Sequence, residues 1–141
     1  VYERNLSQGH WFLPGAKEAV EALSKKYRLF LASNGTASVQ HGRLTSAGLY
    51  PWFEKVFVSQ EIGFNKPSTD YFNACFTQIP DFARSRCIMV GDSLSSDILG
   101  GINAGIATCW VAPLSKDPGA IHPDYRIESI TQLEELLDSL D

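Results

Sequence analysis

Ile88-Met89-Val90-Gly91-Asp92-Ser93-Leu94-Ser95-Ser96-Asp97 is an apolar segment that stops at Gly-Asp, with a second carboxylate in the helical pattern that follows. A short apolar run bounded by a turn reads as a strand buried on both faces, as in parallel sheets. Such a strand delivers Asp92 at its carboxyl end, the edge on which open α/β sheets bind ligands. A carboxylate there, among acidic and hydroxyl neighbours, suits a hard divalent cation such as Mg²⁺. The same residues also fit a helix start, with Asp92 or Ser93 as N-cap and Asp97 favouring the helix dipole.

Working outward, apolar runs alternate with helical periodicity. Leu13-Pro14-Gly15 punctuates the chain. Ala16, Ala19, Val20 and Leu23 then recur at helical spacing, and Tyr27 to Ala32 is rich in strand formers. The spacing predicts a second helix over 38–47, stopped by Gly48. Val56-Phe57-Val58 reads as a short strand and 62–67 as a loop, while Tyr71, Phe72, Cys75, Phe76 and Ile79 trace one helical face. Downstream lie the strand 87–90, a helix over 96–104, a strand at 108–111, an edge strand at 125–127 and an amphipathic helix over 130–140. Alternation of this kind predicts an α/β domain, a Rossmann-like parallel sheet flanked by helices. Residues 1–6 read as the tail of a helix.

Composition narrows the function classes. The 141 residues are 44% hydrophobic and 20% charged with a formal net charge of −4, which describes an ordinary globular domain without a nucleic-acid footprint. Cys75, Cys87 and Cys109 lie far apart with no Cys-x-x-Cys pair, and read as buried hydrophobes of a reducing compartment. No apolar run reaches membrane-spanning length and no signal peptide is visible, so the expectation is a cytoplasmic protein with no membrane and no nucleic-acid polymer as partner.

Polar residues follow three of the strands, and parallel strands bring their carboxyl ends to one edge. Ser33 offers a hydroxyl, and the Asn34 and Gly35 amides are placed to meet a phosphoryl oxygen. Lys66, before Pro67, offers a positive charge to a phosphoryl dianion. Asp92 is placed to ligate the cation, with Asp97 holding a metal-bound water or orienting the site. Each feature has a plainer reading: Ser33-Asn34-Gly35 as a turn, Lys66 as a solvated loop lysine. Their joint occurrence in this order favours phosphoryl chemistry, which asks for positioning and charge neutralisation. Gly100, Gly101 and Gly105 fall in or just after a helix, and read as close helix–sheet packing rather than a phosphate loop. His10, His41 and His122 read as surface or cap residues, Trp11 as core or cap-junction packing, and Trp52 and Trp110 as core plugs.

With these residues in view, the chain resembles the haloacid dehalogenase-like hydrolase superfamily. Ser33-Asn34-Gly35 is similar to its second motif, Lys66-Pro67 to its third and Gly91-Asp92 through Asp97 to its fourth. The stretches 91–106 and 61–67 resemble its pyrimidine 5′-nucleotidase-like branch. The resemblance implies a Mg²⁺-dependent phosphatase acting through an aspartyl-phosphate on a small phosphorylated metabolite, a nucleoside 5′-monophosphate first and a sugar phosphate second. It assigns Lys66, Ser33 and Asp97 to catalysis, Ser33, Asn34, Gly35 and Lys66 to phosphate binding, and Asp92 and Asp97 to the metal. A non-catalytic module that binds a phosphorylated ligand or a partner is the alternative.

One departure limits that carry-over. The superfamily's first motif, Asp-x-Asp on the first strand, supplies the nucleophile and occurs nowhere in this chain. By resemblance, residues 1–10 end a cap domain, residues 11–141 form the core, and the partner that completes the site is a missing N-terminal segment of the same protein. The missing strand lies between 30–32 and 87–90, and its loss opens a gap of ~10 Å with unpaired backbone groups. The expectations are therefore an incomplete sheet and a catalytically dead 141-residue chain.

Overall fold

The computed structural model describes residues 3–7, 16–33 and 52–140. Its strands are β1 (Glu3–Ser7), β2 (Arg28–Ser33), β3 (Lys55–Val58), β4 (Cys87–Gly91), β5 (Ala107–Val111) and β6 (Tyr125–Ile127). They form one six-stranded sheet in the order β3-β2-β1-β4-β5-β6, with every neighbouring pair parallel. The helices are α1 (Ala16–Ser24), α2 (Ser59–Ile62), α3 (Thr69–Phe76), α4 (Leu99–Ala104) and α5 (Leu133–Leu140).

Period-two alternation divides the strands between two apolar cores. In β2, Leu29 and Leu31 join one cluster while Phe30 and Ala32 join the other. In β4, Ile88 and Val90 join the first and Cys87 and Met89 the second. The first core is closed by Val20 and Leu23 of α1 and Leu133 and Leu137 of α5. The second is closed by Tyr71, Phe72, Cys75 and Phe76 of α3. Burial on both faces is what makes these strands read as unbroken apolar runs. All three cysteines are buried, as expected of small hydrophobes. His122 is exposed, and Trp52 packs against the first core. His10, Trp11, His41, the helix expected over 38–47 and Gly48 lie outside the described residues.

The amino-terminal segment corrects the sequence reading. Residues 3–7 form a strand, not the end of a helix, and this strand fills the place expected to be open. Phe30 and Met89 flank Asn5, and Leu31 and Val90 flank Leu6. The physical reason is the cost of the gap: β2 and β4 are buried, so an open slot strands their inward-facing N–H and C=O groups without partners. An extended segment satisfies both edges at once, and that gain overrides the weak local helical pattern of Glu3-Arg4-Asn5-Leu6.

Gly101 shows how tightly α4 sits on the sheet. A Cβ added there falls 2.7 Å from Thr108 Cγ2 and 3.1 Å from Met89 Cβ, both on buried strand residues. Close packing therefore explains the Gly100-Gly101 pair. Gly101→Ala is expected to destabilise the domain by about 1–3 kcal/mol, the usual cost of overpacking a dense core, measured by urea denaturation. An unchanged midpoint would show that α4 can lift away without cost.

Candidate active site at the carboxyl edge of the sheet

Lys66 and Asp97 meet at the carboxyl ends of β2 and β4. Lys66 Nζ donates to Asp97 Oδ1 at 2.6 Å and to the Ala32 carbonyl at 3.1 Å. Both side chains are buried, with residue exposures of 7% for Lys66 and 1% for Asp97. Lys66 leads into Pro67 through a cis peptide bond, and Ser68 caps α3 by accepting from the Asp70 N–H.

Asp97 is held from its other side by the turn that carries it. After β4 the chain winds through a wide turn, Leu94–Ile98, in which the Ile98 N–H reaches the Ser93 carbonyl at 3.1 Å. Wide turns of this type are frequent at functional sites. Asp97 Oδ2 accepts from the Ser93 N–H at 3.3 Å, and Ser93 Oγ accepts from the Ser96 N–H at 3.3 Å. The N-cap role thus falls to Ser93. Gly91 is required by the same geometry: a Cβ there would lie 2.6 Å from Asp97 Cβ, which leaves no room for any side chain.

Asp92 follows the end of β4, and its residue is exposed, in contrast to buried Asp97. Ser33 is the last residue of β2, directly after the carbonyl that Lys66 holds. Asn34 and Gly35 lie outside the described residues. Lys66 and Asp97 therefore meet at one edge with the Ala32 carbonyl of β2. Sequence reasoning gave Lys66 and Asp97 separate tasks and missed that they bind each other. Nothing in their spacing could reveal it, because the pairing depends on strand order.

A buried ion pair recovers its desolvation cost only through good geometry and added hydrogen bonds. Here the extra bonds come from Ala32 and Ser93, so the pair is supported from both sides. The result is a floor made of a braced ion pair, at an edge where ligands of α/β sheets bind. Cys75 is no competing nucleophile: burial pushes its thiol up to about 12, so it stays protonated.

Among the described residues no three His, Cys, Asp or Glu side chains cluster to enclose a metal ion by themselves. Mg²⁺ does not need such a cage, since it keeps waters and takes one or two carboxylates together with substrate phosphate oxygens. Oxygen donors on the β4 turn, with exposed Asp92 foremost, fit that demand. Among the described residues no helix is long and apolar enough to cross a membrane.

The chain spans between 56% and 59% of the length of three bacterial relatives. It is 38% identical over 138 residues to the HAD-hydrolase YfnB of Bacillus subtilis, which covers 97% of this chain and 59% of that protein. It is 40% identical over 126 residues to the pyrimidine 5′-nucleotidase YjjG of Escherichia coli, covering 89% of this chain and 56% of the relative. With the pyrimidine 5′-nucleotidase PynA of Streptococcus pneumoniae it shares 37% identity over 142 residues, covering 99% and 59%. The crystal structure of YfnB bound to magnesium superposes with a TM-score of 0.86 over 89% of this chain and 56% of that one. A family model for haloacid dehalogenase-like hydrolases matches residues 1–111. The chain belongs to the haloacid dehalogenase-like hydrolases.

Proposed function

We propose that this chain is the core of a Mg²⁺-dependent phosphomonoesterase acting on nucleoside 5′-monophosphates. The observation that carries the reading is the buried Lys66–Asp97 pair, braced by Ala32 and Ser93 at the carboxyl edge of the sheet. A fixed cation at such an edge neutralises a phosphoryl dianion without reorganising during the reaction. Lys66 supplies that charge, and Ser33 with the Asn34 and Gly35 amides binds the remaining phosphoryl oxygens. Asp97 holds Lys66 in place, and Asp92 ligates the metal with Asp97 beside it. When bound, Mg²⁺ neutralises charge on the phosphoryl oxygens. Pyrimidine 5′-nucleotidases at 40% and 37% identity support nucleotides as the substrate class. A sugar phosphate is the second reading, supported by the human N-acylneuraminate-9-phosphatase at 34% identity over 131 residues.

The nucleophile is the remaining part. The strand between β2 and β4 is Glu3-Arg4-Asn5-Leu6-Ser7, whose one carboxylate residue, Glu3, sits level with Arg28 and Cys87 at the opposite edge. In the complete protein an upstream strand ending in aspartate takes the β1 position, and residues 1–10 close a cap domain. The 141-residue chain alone is accordingly inactive.

Phosphate release from a panel of nucleoside monophosphates and sugar phosphates, with Mg²⁺ and the complete protein, tests this. Turnover is expected, abolished by EDTA and lowered at least ~100-fold by Asp92→Ala, in line with losing charge stabilisation of the transition state. Absence of turnover on every phosphomonoester would refute the phosphatase reading, and turnover that persists in EDTA and in the Asp92 variant would refute its Mg²⁺ dependence.

A further inference from the structure

The loop that carries Asp92 is anchored by a residue far from it in sequence. Trp110, on β5, donates from its indole Nε1 to the Asp92 carbonyl at 3.0 Å. The register explains the reach: Gly91 pairs with Trp110 across β4 and β5, so the next residue lies over the ring's edge. The ring itself is 2% exposed and packs with Ile98 and Ala112, with Leu94 at the margin of the cluster. It therefore touches both ends of the turn between Asp92 and Asp97.

The ring is fixed in turn from its far side. The Arg126 guanidinium lies 4.4 Å from the Trp110 ring centroid, a cation–π contact. Arg126 Nη2 also donates to the Lys116 carbonyl at 2.7 Å and to the Pro113 carbonyl. A second latch holds the same loop: Asp124 Oδ2 accepts from the Thr108 N–H at 2.9 Å, and the Asp124 N–H donates to Thr108 Oγ1 at 3.0 Å. Arg126 and Trp110 thus form a stack that runs from β6 to the cation loop. A hydrogen bond to a backbone carbonyl fixes a peptide plane, and that plane sets where the Asp92 side chain leaves the chain.

We propose that Trp110 is a positioning residue for cation binding, holding the Asp92 backbone through its indole N–H while Arg126 clamps the ring. The proposal rests on the metal role assigned to Asp92 above. Trp110 is buried and acts through Asp92. Its effect is to limit the orientations that the Asp92 carboxylate samples before the metal arrives, which lowers the ordering cost of binding.

Trp110→Phe keeps a buried ring and removes the donor. Mg²⁺ binding to the complete protein, followed by isothermal titration calorimetry, is expected to weaken about 3–10-fold, the range for one neutral hydrogen bond. Binding of inorganic phosphate without Mg²⁺ is expected to be unchanged, a split that a general loss of folded protein would not produce. Arg126→Met keeps the indole donor and frees the ring, so a smaller weakening in the same direction is expected; it also serves if the Trp110 variant does not fold. Mg²⁺ affinity equal to the unsubstituted protein in both folded variants overturns the proposal. Failure of the unsubstituted protein to bind Mg²⁺ instead overturns the metal role of Asp92, and the positioning role with it.

Discussion

Lys66→Ala is expected to lower the stability of the domain by about 3–5 kcal/mol, the cost of leaving a buried charge without its counter-ion. Asp97 is 1% exposed, and after the substitution it keeps the Ser93 N–H but loses its 2.6 Å cation. Small domains are stable by only about 5–15 kcal/mol, so this one change brings the fold close to its limit. Lys66→Ala combined with Asp97→Ala removes both charges and is expected to cost less than Lys66→Ala alone. Urea denaturation of the two single variants and the double variant forms a mutant cycle that isolates the coupling. A Lys66→Ala loss below about 1 kcal/mol, within the range of exposed pairs, would mean that water reaches the pair.

Replacing Arg4 and Asn5 by valine is expected to stabilise the 141-residue chain by about 1.5 kcal/mol for each substitution, the gain from burying an apolar side chain. Register dictates this. The row through Arg4 contains Leu29 and Ile88, both in the first core, and the row through Asn5 contains Phe30 and Met89, both in the second. A strand paired on both sides in a parallel sheet is ordinarily apolar on both faces, and Glu3-Arg4-Asn5-Leu6-Ser7 has one apolar residue. It satisfies backbone hydrogen bonds, but its composition is not that of a strand covered on both faces. In the complete protein, where the proposed upstream strand holds this place, the two substitutions are expected to change stability by less than about 0.5 kcal/mol, as at ordinary surface positions. Thermal and urea unfolding of both forms separate these cases. Destabilisation of the short chain by the valines would show that the Glu3–Ser7 strand is a well-matched occupant and would remove the case for an upstream competitor.

Much of the architecture was legible because burial on both faces writes itself into sequence. Phe30 to Ala32, Val56 to Val58, Cys87 to Val90 and Thr108 to Val111 are short runs alternating with helical patterns, which a parallel, covered sheet accommodates. Tyr71, Phe72, Cys75 and Phe76 were legible as one helical face for the same reason. The strand at residues 3–7 was not, since its state is set by unpaired groups on β2 and β4 rather than by its own side chains. Trp110 reads as a core plug, which its burial supports. Its hydrogen bond to Asp92 follows from the β4–β5 register, which no local pattern encodes.

The sequence by itself determined the class of fold and the order of most of its described elements, because periodicity and turn chemistry are local. Only the tertiary structure decided that Lys66 pairs with Asp97, that Trp110 holds Asp92, and that residues 3–7 occupy the centre of the sheet. These contacts join residues distant along the chain. Their energies come from desolvation and from pairing of buried backbone groups, which exist only once the sheet has assembled.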